Sequence, residues 1–275
     1  MTTSSLITET YGPKNGKTIV FLHGGGAGGW MWQPVINYLP DYHCLAPDQP
    51  EHGRNRELAP FSMELASEKV AELILQQANG GKAFVVGLSE GAQIAVQLLA
   101  TAPDRIEKAV ISSAILLPIP GMGWLSSRKI LAWAYRVSIP PFKNSDWWIR
   151  LNMKYAAGIP EEFYSYYKKD FQDMTESEWV NLLVANQQFR LPMGLEKVLA
   201  PALVIAGKHE YSAMKQSTRK LAAVLPNGKG GFINLGKNSS MLIEHNWALT
   251  APELFAQTIR AWIEEKPLPA VIELI

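Results

Sequence analysis

Apolar and polar positions along the chain follow two alternating patterns. Short runs rich in β-branched and other apolar residues predict buried strands, and longer stretches with apolar residues at helical spacing predict helices. The predicted strands are residues 5–12, 17–23, 42–47, 82–87, 108–114, 201–207 and 230–236. The predicted helices are residues 30–39, 62–78, 92–100, 212–225 and 250–265. Strands that alternate with helices in this way are typical of an α/β protein, with a mostly parallel central sheet and helices on both faces.

Two of the predicted helices carry start signals. Ser62 stands at the N-cap position of helix 62–78, where its hydroxyl can accept a backbone hydrogen bond. Thr250 and Glu253 have the spacing of a capping box for helix 250–265. We therefore expect both helices to begin at these residues.

The alternation stops between residues 115 and 199, where helical pieces are plausible and no convincing strand pattern occurs. The chain has nine tryptophans and nine tyrosines, and five of each lie in this segment: Trp124, Trp133, Trp147, Trp148, Trp179, Tyr135, Tyr155, Tyr164, Tyr166 and Tyr167. A long insertion between two strands of an α/β sheet is usually a cap or lid. We therefore predict a core formed by residues 1–114 and 200–275, with a helical cap at 115–199. Its aromatic residues either fill the cap's own core or, as we expect for some of them, face a cleft.

Composition narrows the class of protein. Apolar residues make up 47% and charged residues 19% of the 275 residues, which is typical of a globular protein. The formal net charge is +1 without a basic run, which argues against a nucleic-acid partner. The single cysteine, Cys44, gives no disulfide framework. The beginning of the chain lacks the basic and apolar regions of a signal peptide, and no window reaches the about 18 apolar residues of a membrane span. We expect a cytoplasmic protein.

The sequence Gly-Leu-Ser-Glu-Gly at 87–91 lies where predicted strand 82–87 passes into predicted helix 92–100. Flanking glycines leave room for a strained turn that raises the hydroxyl of Ser89 above the sheet edge. The following helix start adds free N–H groups and positive partial charge. Ser89 is therefore the candidate nucleophile, and an ordinary helix cap is the alternative.

A serine nucleophile needs a base. The chain has five histidines, at positions 23, 43, 52, 209 and 245. In the order serine, acid, histidine, the base should follow strand 230–236, and this selects His245 by elimination. The alternative is that His245 is a surface histidine without catalytic function.

The third residue should be a carboxylate that orients the imidazole. Glu210 is the only carboxylate in the turn after strand 201–207, and no acid follows strand 108–114. Glu210 could instead be a solvated turn residue. Asp48, after strand 42–47, is interpreted as a structural residue that binds turn amides.

The glycine-rich loop HGGGAGGW, at residues 23–30, allows close approach of backbone N–H groups to an oxyanion. Gly25 is the best candidate donor and Gly26 the next, and the second donor would be the backbone N–H of Glu90.

A dinucleotide site is the competing interpretation of this loop, with Gly24, Gly26 and Gly29 as the glycine pattern and Asp48 as the ribose ligand. The loop lacks the Lys-Ser/Thr pair of a phosphate-binding P-loop. Because this interpretation would make the serine turn and the histidine coincidences, we predict no cofactor and no metal.

Five pieces of sequence together resemble the α/β-hydrolase superfamily, in its serine esterase and lipase branch with a helical lid. They are FLHGGGAGGWMW, PDQPEHGRN, VVGLSEG, VIAGKHE and HNWALTAPELFAQTIRAWI, and the resemblance extends from Thr18 to Trp262. It implies Ser89, Glu210 and His245 as a catalytic triad.

The sequence departs from the family pattern in several places. The acid is Glu rather than the commoner Asp, and His245 follows the last predicted strand by about ten residues, later than usual. Glu51 replaces a frequent glycine. With a single strand before residue 17, the sheet is expected to lack the first strand of the full family pattern.

These observations predict a serine hydrolase that cleaves an ester or thioester of a small, fairly apolar molecule through an acyl-enzyme. Its partner would be that small-molecule substrate, and the oligomeric state stays open. The triad does not distinguish this reaction from carbon–carbon bond hydrolysis, lyase or haloperoxidase chemistry on the same fold. A ligand-binding receptor or pseudoenzyme is the alternative from another class.

Overall fold

The computed structural model describes residues 5–275. The strands are β1 (Thr8–Tyr11), β2 (Thr18–Leu22), β3 (His43–Pro47), β4 (Ala83–Leu88), β5 (Ile106–Ser112), β6 (Ala202–Gly207), β7 (Gly228–Ile233) and β8 (Ile272–Leu274). They form one sheet in the order β1-β3-β2-β4-β5-β6-β7-β8. The edge strands β1 and β8 are antiparallel to their neighbours, and the six central strands are parallel. The predicted fold class is confirmed.

The α-helices are α1 (Gln33–Ile36), α2 (Met63–Gln77), α3 (Glu90–Thr101), α4 (Arg128–Ser138), α5 (Asp146–Asn152), α6 (Tyr164–Asp173), α7 (Glu176–Gln188), α8 (Ser212–Val224), α9 (Met241–His245), α10 (Trp247–Thr250) and α11 (Pro252–Ile263). Successive strand residues point to opposite faces of a sheet. In β2, Val20 and Leu22 join an apolar cluster with α2, α3 and α8, whereas Ile19 and Phe21 join one with α1, α10 and α11. Both faces of the sheet are therefore covered.

Each predicted strand and helix is present, but residues 5–275 contain one strand more than the sequence pattern shows. β8 pairs with β7 at the sheet edge, and of its three residues only Ile272 is buried. So short an exposed strand has no readable periodicity. Our expectation that the strand at 230–236 is the last one is therefore wrong.

One of the two predicted helix starts is correct. The Ser62 hydroxyl accepts a hydrogen bond of 3.1 Å from the backbone N–H of Leu65 at the start of α2. The capping box predicted at Thr250 is wrong, because α11 begins at Pro252. Thr250 ends α10, and its hydroxyl donates to the carbonyl oxygen of Ile243 at 2.9 Å.

The segment between β5 and β6 contains α4 to α7 and, within residues 115–199, no strand. Two small apolar clusters stabilise it, one around Tyr135, Ile149 and Phe171 and the other around Leu131 and Val180. Polar contacts join α6 and α7 to the loops that follow β2 and β3 at the carboxyl edge of the sheet. The division into core and cap stays a prediction. Within residues 5–275, no helix is long and apolar enough to span a membrane.

Candidate active site

Ser89 lies in a sharp turn between β4 and α3, with φ 56° and ψ −113°. A Cβ atom on Gly87 would lie 2.3 Å from the carbonyl oxygen of Gly91, and one on Gly91 would lie 2.0 Å from the carbonyl oxygen of Leu22. Side chains are therefore excluded at both positions, as the motif predicts. Ser89 occupies the N-cap position of α3, but its hydroxyl makes no capping hydrogen bond. The hydroxyl is consequently available to a cavity that Ser89 lines.

The structure brings Glu210 and His245 together. Glu210 lies in the turn after β6 and is buried, and its Oε1 is 2.9 Å from Nδ1 of His245 at the end of α9. Because a carboxylate oxygen accepts, Nδ1 carries a hydrogen, and in the neutral imidazole Nε2 then keeps a lone pair. Ser89 and His245 line the same cavity, although within residues 5–275 no hydrogen bond joins them.

Ser113 supports the same carboxylate. Its hydroxyl donates to Oε1 of Glu210 at 2.7 Å, and its own φ is 61°. It follows β5, where the sequence offered no acid. Such a strained backbone conformation costs free energy and persists only where the surroundings hold it in place.

Sequence reasoning missed a second pair beside the first. Glu244 is fully buried, and its carboxylate accepts from the backbone N–H of His209 at 2.7 Å and from the ring Nδ1 of His209 at 2.8 Å. The adjacent residues 209 and 210 thus pair crosswise with 244 and 245. The signal for this arrangement was the presence of two adjacent His and Glu residues in each segment.

Of Gly25 and Gly26, the two candidate donors of the glycine-rich loop after β2, only Gly25 has a free N–H. Within residues 5–275, the backbone N–H of Gly25 donates to no protein acceptor, and the same holds for Glu90 at the start of α3. Gly26 was the second choice, but its N–H is directed to Nε2 of His52 at 3.3 Å. That choice is therefore corrected, because His52 already occupies the donor.

Asp48 is structural, as expected. Its Oδ1 accepts from the backbone N–H of Gly29 at 2.8 Å, and its Oδ2 accepts from Nε of Arg54 at 2.7 Å. Burial alone would raise the pKa of Asp48, but these hydrogen bonds outweigh it and lower the pKa below the ordinary value. Because both carboxylate oxygens are engaged, Asp48 is poorly suited to bind a ribose.

Glu51, where the family frequently has glycine, has a φ of 60°. Its Oε2 accepts from the backbone N–H of Phe61 at 2.6 Å, and both oxygens accept from Nδ2 of Asn181 on α7. This glutamate therefore ties the loop after β3 to the inserted helices, which a glycine could not do.

A cavity of about 340 Å³ opens above Ser89. Its walls are mostly aliphatic or thioether side chains, among them Met31, Leu88, Ile115, Ile119, Met214, Met241, Leu242 and Leu249. Tyr211 and His245 are the only titratable residues that line it within the part of the chain that the structure describes. Among the described residues, the wall therefore offers no carboxylate, lysine or arginine to pair with an ionic substrate.

None of the ten Trp and Tyr residues of segment 115–199 lines this cavity, so our expectation that some of them face it is wrong. Trp148, Trp179, Tyr164 and Tyr167 pack in the small core of the insertion, and several others are exposed. The large rings pack between the helices of the insertion. The cavity is lined instead by smaller residues of the insertion, namely Ile119, Ala156, Ala157 and Ile159.

Trp30 links the insertion to the glycine-rich loop. Its ring lines the cavity and stacks on Tyr166 and Phe163, with centroid distances of 5.3 and 5.9 Å. Its Nε1 donates to Oδ2 of Asp170 at 2.7 Å. Burial raises the pKa of Asp170 to about 6, although the Trp30 hydrogen bond acts in the opposite direction.

Comparison with known proteins agrees with this fold. A family model described as the alpha/beta hydrolase fold matches residues 17–193. An AB hydrolase superfamily protein of Gibberella zeae is 24% identical over 285 residues, which cover 100% of this chain and 89% of that protein. An esterase of Mycobacterium tuberculosis is 40% identical over 95 residues, which cover 34% of this chain and 31% of that protein.

Among solved structures, a thermophilic esterase from Thermogutta terrifontis aligns with a TM-score of 0.72 at 18% identity. The alignment covers 94% of this chain and 93% of that one. At this identity, the likeness supports the fold and not a particular substrate.

Proposed function

The chain belongs to the alpha/beta hydrolase fold family, and from this premise we propose that it is a serine hydrolase. It cleaves a carboxylic ester or thioester of a small, uncharged and fairly apolar substrate through an acyl-enzyme. The observation that carries the proposal is the 2.9 Å hydrogen bond between Glu210 and His245 at the cavity that Ser89 lines.

In the first half of the reaction, Ser89 Oγ attacks the carbonyl carbon while Nε2 of His245 accepts its proton. Glu210 holds the imidazole with Nδ1–H toward itself and stabilises the imidazolium that forms. The backbone N–H groups of Gly25 and Glu90 donate to the developing oxyanion. His245 then returns the proton to the leaving alcohol or thiol, and the acyl group stays on Ser89.

In the second half, a water molecule takes the place of the leaving group. His245 accepts a proton from this water as its oxygen attacks the acyl carbon, and the same two N–H groups bind the oxyanion again. Collapse of the tetrahedral intermediate releases the carboxylic acid and returns the proton to Ser89.

The substrate class follows from the cavity wall. Burial of an unpaired charge against aliphatic side chains is costly, so an anionic acyl group binds less well than a neutral one. A volume of about 340 Å³ lies at the small end of ordinary ligand sites. The relative of Mycobacterium tuberculosis that is named an esterase supports this reaction class.

The test combines turnover with labelling. We expect a nitrophenol burst from a short-chain 4-nitrophenyl ester, and covalent labelling of Ser89 by an aryl phosphonate detected by peptide mass spectrometry. Ser113→Ala is the matched control. Ser113 donates a hydrogen bond to Glu210 but is not the proposed nucleophile, so this variant should still be labelled at Ser89. Absence of both burst and label, together with a rise in Tm on addition of an apolar ligand, would favour the binding-protein alternative.

A further inference from the structure

The carboxyl group of Glu90 lies directly behind the glycine-rich loop, and the proposed reaction uses the backbone N–H of this residue but not its side chain. Its side chain is fully buried. Oε2 accepts a hydrogen bond of 3.0 Å from Nδ2 of Asn186 on α7. Oε2 also lies 3.2 Å from the position that a Cβ atom on Gly25 would take. Glu90 thus touches both the inserted helices and the loop that carries the proposed oxyanion donor.

The second oxygen of Glu90 has no donor. Oε1 is buried without a hydrogen-bond partner in the part of the chain that the structure describes. The group next to it is Nε2 of His52, at 3.5 Å. Nδ1 of His52 lies 2.9 Å from the carbonyl oxygen of Pro50, so Nδ1 must donate, and Nε2 accepts from the backbone N–H of Gly26.

This tautomer leaves Oε1 of an ionised Glu90 facing a lone pair. Two acceptors at this distance repel each other, and a proton on Oε1 removes this repulsion. Because Nε2 has one lone pair and already accepts from Gly26, that proton would share the lone pair with the Gly26 N–H. Within residues 5–275 no Lys or Arg pairs with this carboxyl group. An isolated buried carboxylate is costly, and such groups usually keep their proton.

We propose that Glu90 stays protonated in the active enzyme and is a positioning residue, whose neutral carboxyl group supports the loop of Gly25 and Gly26 through His52. The proposal rests on the proposed function. Loss of the proton would place a negative charge behind the Gly25 amide, where it opposes the negative charge of the developing oxyanion. Hydrolysis would then decline at alkaline pH.

The surroundings of Glu90 agree with a neutral acid. Burial raises the pKa of Glu90 to about 8, and the Asn186 hydrogen bond opposes this only in part. Burial, with the neighbouring His23 ring as a smaller cause, lowers the pKa of His52 to about 3, so His52 is neutral. His23 packs against His52 with ring centroids 5.2 Å apart, and burial lowers its pKa as well.

The remaining charged groups on this side belong to the loop after β3 and to α7. Asp48 and Arg56 act on His52. Glu51, next to His52 in the same loop, is occupied by the backbone N–H of Phe61 and by Asn181. Arg56 is already engaged, with its Nε 3.3 Å from Oε1 of Glu178 on α7. From α7 itself, Glu90 meets the neutral Asn186, and among the described residues no cation is placed to compensate the ionisation of Glu90.

An infrared titration tests the protonation state without turnover. In D₂O at pH 7, the difference spectrum between the parent and Glu90→Gln should contain the carbonyl band of a protonated carboxylic acid. We expect this band to fall to half its size at about pH 8. Asp170→Asn is the control, because the pKa of Asp170 is raised only to about 6 and its difference spectrum at pH 7 should show mainly carboxylate.

The pH–rate profile tests the role. For the parent, kcat/KM should fall about thirtyfold between pH 7 and 9.5, as expected for one ionisation at about pH 8. Each profile is normalised to its own maximum, and activity is measured again at pH 7 to exclude denaturation. Glu90→Gln cannot ionise, so its alkaline decline should be absent, whereas Asp170→Asn should keep it.

The outcomes separate this proposal from the proposed function. Ester turnover without the acid band, or an unchanged alkaline decline in Glu90→Gln, would overturn the Glu90 proposal alone. The acid band without turnover of any ester and without label on Ser89 would overturn the proposed function, and the role of Glu90 in hydrolysis with it.

Discussion

Glu244 accepts two hydrogen bonds from His209, one from its backbone N–H and one from its ring, directly beside the bond between Glu210 and His245. The carboxylate of Glu244 therefore fastens the turn after β6 to α9. Because the proposed acid and base are the neighbours of these two residues, the same contact fixes their separation. A hydrogen bond to a charged group contributes more than one between neutral groups.

Glu210→Gln and His209→Gln separate the acid from its neighbour. Glutamine at 210 keeps the shape but removes the charge and offers an N–H that favours the wrong tautomer of His245. We expect kcat for an activated ester to fall by about 10³–10⁴, by analogy with the corresponding change in a serine protease. His209→Gln should lower kcat less than tenfold. If His209→Gln were the more damaging change, the neighbouring pair of His209 and Glu244 would replace Glu210 and His245 as the candidate acid and base.

Glu244→Gln should affect stability. The change removes a buried charge from the hydrogen bonds of His209, each worth about 1.5–3 kcal/mol when one partner is charged. We therefore expect the free energy of unfolding, from urea denaturation, to fall by at least about 2 kcal/mol. Glu273→Gln is the control, because Glu273 pairs with Lys208 of the same turn on the surface. It should change stability by less than about 1 kcal/mol. Equal effects of the two variants would contradict the fastening role of Glu244.

Gly25→Pro tests the oxyanion donor against Gly25→Ala. Both variants add a Cβ atom, which lies 3.2 Å from Glu90 Oε2 and 3.3 Å from Leu182 Cδ1, but only proline removes the N–H. We expect kcat of Gly25→Pro to lie about 10²–10³ below that of Gly25→Ala, the usual effect of one lost donor. Circular dichroism checks that both variants fold. Equal rates in two folded variants would remove Gly25 from the oxyanion site.

The cavity wall should control acyl-chain preference. Ile119→Trp places a larger ring in the wall, and Trp133→Ala removes a ring that is 65% exposed on α4. For Ile119→Trp, the ratio of kcat/KM for an octanoate ester to that for an acetate ester should fall about 10-fold or more. The larger ring excludes a few methylenes of the octanoyl chain from the cavity, and their binding energy is lost. Trp133→Ala should leave this ratio unchanged. A change with Trp133→Ala alone would mean that the exposed face of the insertion contacts substrate.

Glu90→Gln should stabilise the fold in a pH-dependent manner. The folded state keeps a proton up to about pH 8 that the unfolded state loses near its ordinary pKa of 4.5. The parent is therefore destabilised progressively as pH rises from about 4.5 to about 8, and the penalty is constant above that. Relative to the parent, the free energy of unfolding of Glu90→Gln should rise by a few kcal/mol across this window.

Asp170→Asn is the matched comparison for this pH dependence, because the pKa of Asp170 is raised only to about 6. Its gain relative to the parent should stop growing near that pH. Denaturation with urea at pH 4, 6 and 8 distinguishes the two curves. A flat difference between Glu90→Gln and the parent from pH 5 to 8 would show that Glu90 ionises normally in the folded state.

Much of the architecture could be predicted from the sequence, because each strand and helix is an independent local pattern of buried positions. β2 to β7 are covered by helices on both faces, so they appear in the sequence as short apolar runs. These runs and the turn residues between them are enough to predict the strands. The turn around Ser89 is similarly local, since the close approach of Gly91 to Leu22 leaves glycine as the only residue that fits. Order along the chain then led to Glu210 and His245 as the residues to bring together.

The tertiary structure decided whatever depends on two distant segments meeting. Thr250 does not cap α11, because its hydroxyl donates to the carbonyl oxygen of Ile243 instead. The Trp and Tyr rings of the insertion pack in its own small core, stack on Trp30 or are exposed, and none of them lines the cavity. His209 received Glu244 as its partner, and Glu90 was enclosed between His52 and Asn186. A sequence specifies which side chains can donate, accept or ionise. Only the packing of loops at the sheet edge determines which of these side chains are buried away from water. Burial in turn determines the hydrogen-bond partner and the charge of each side chain.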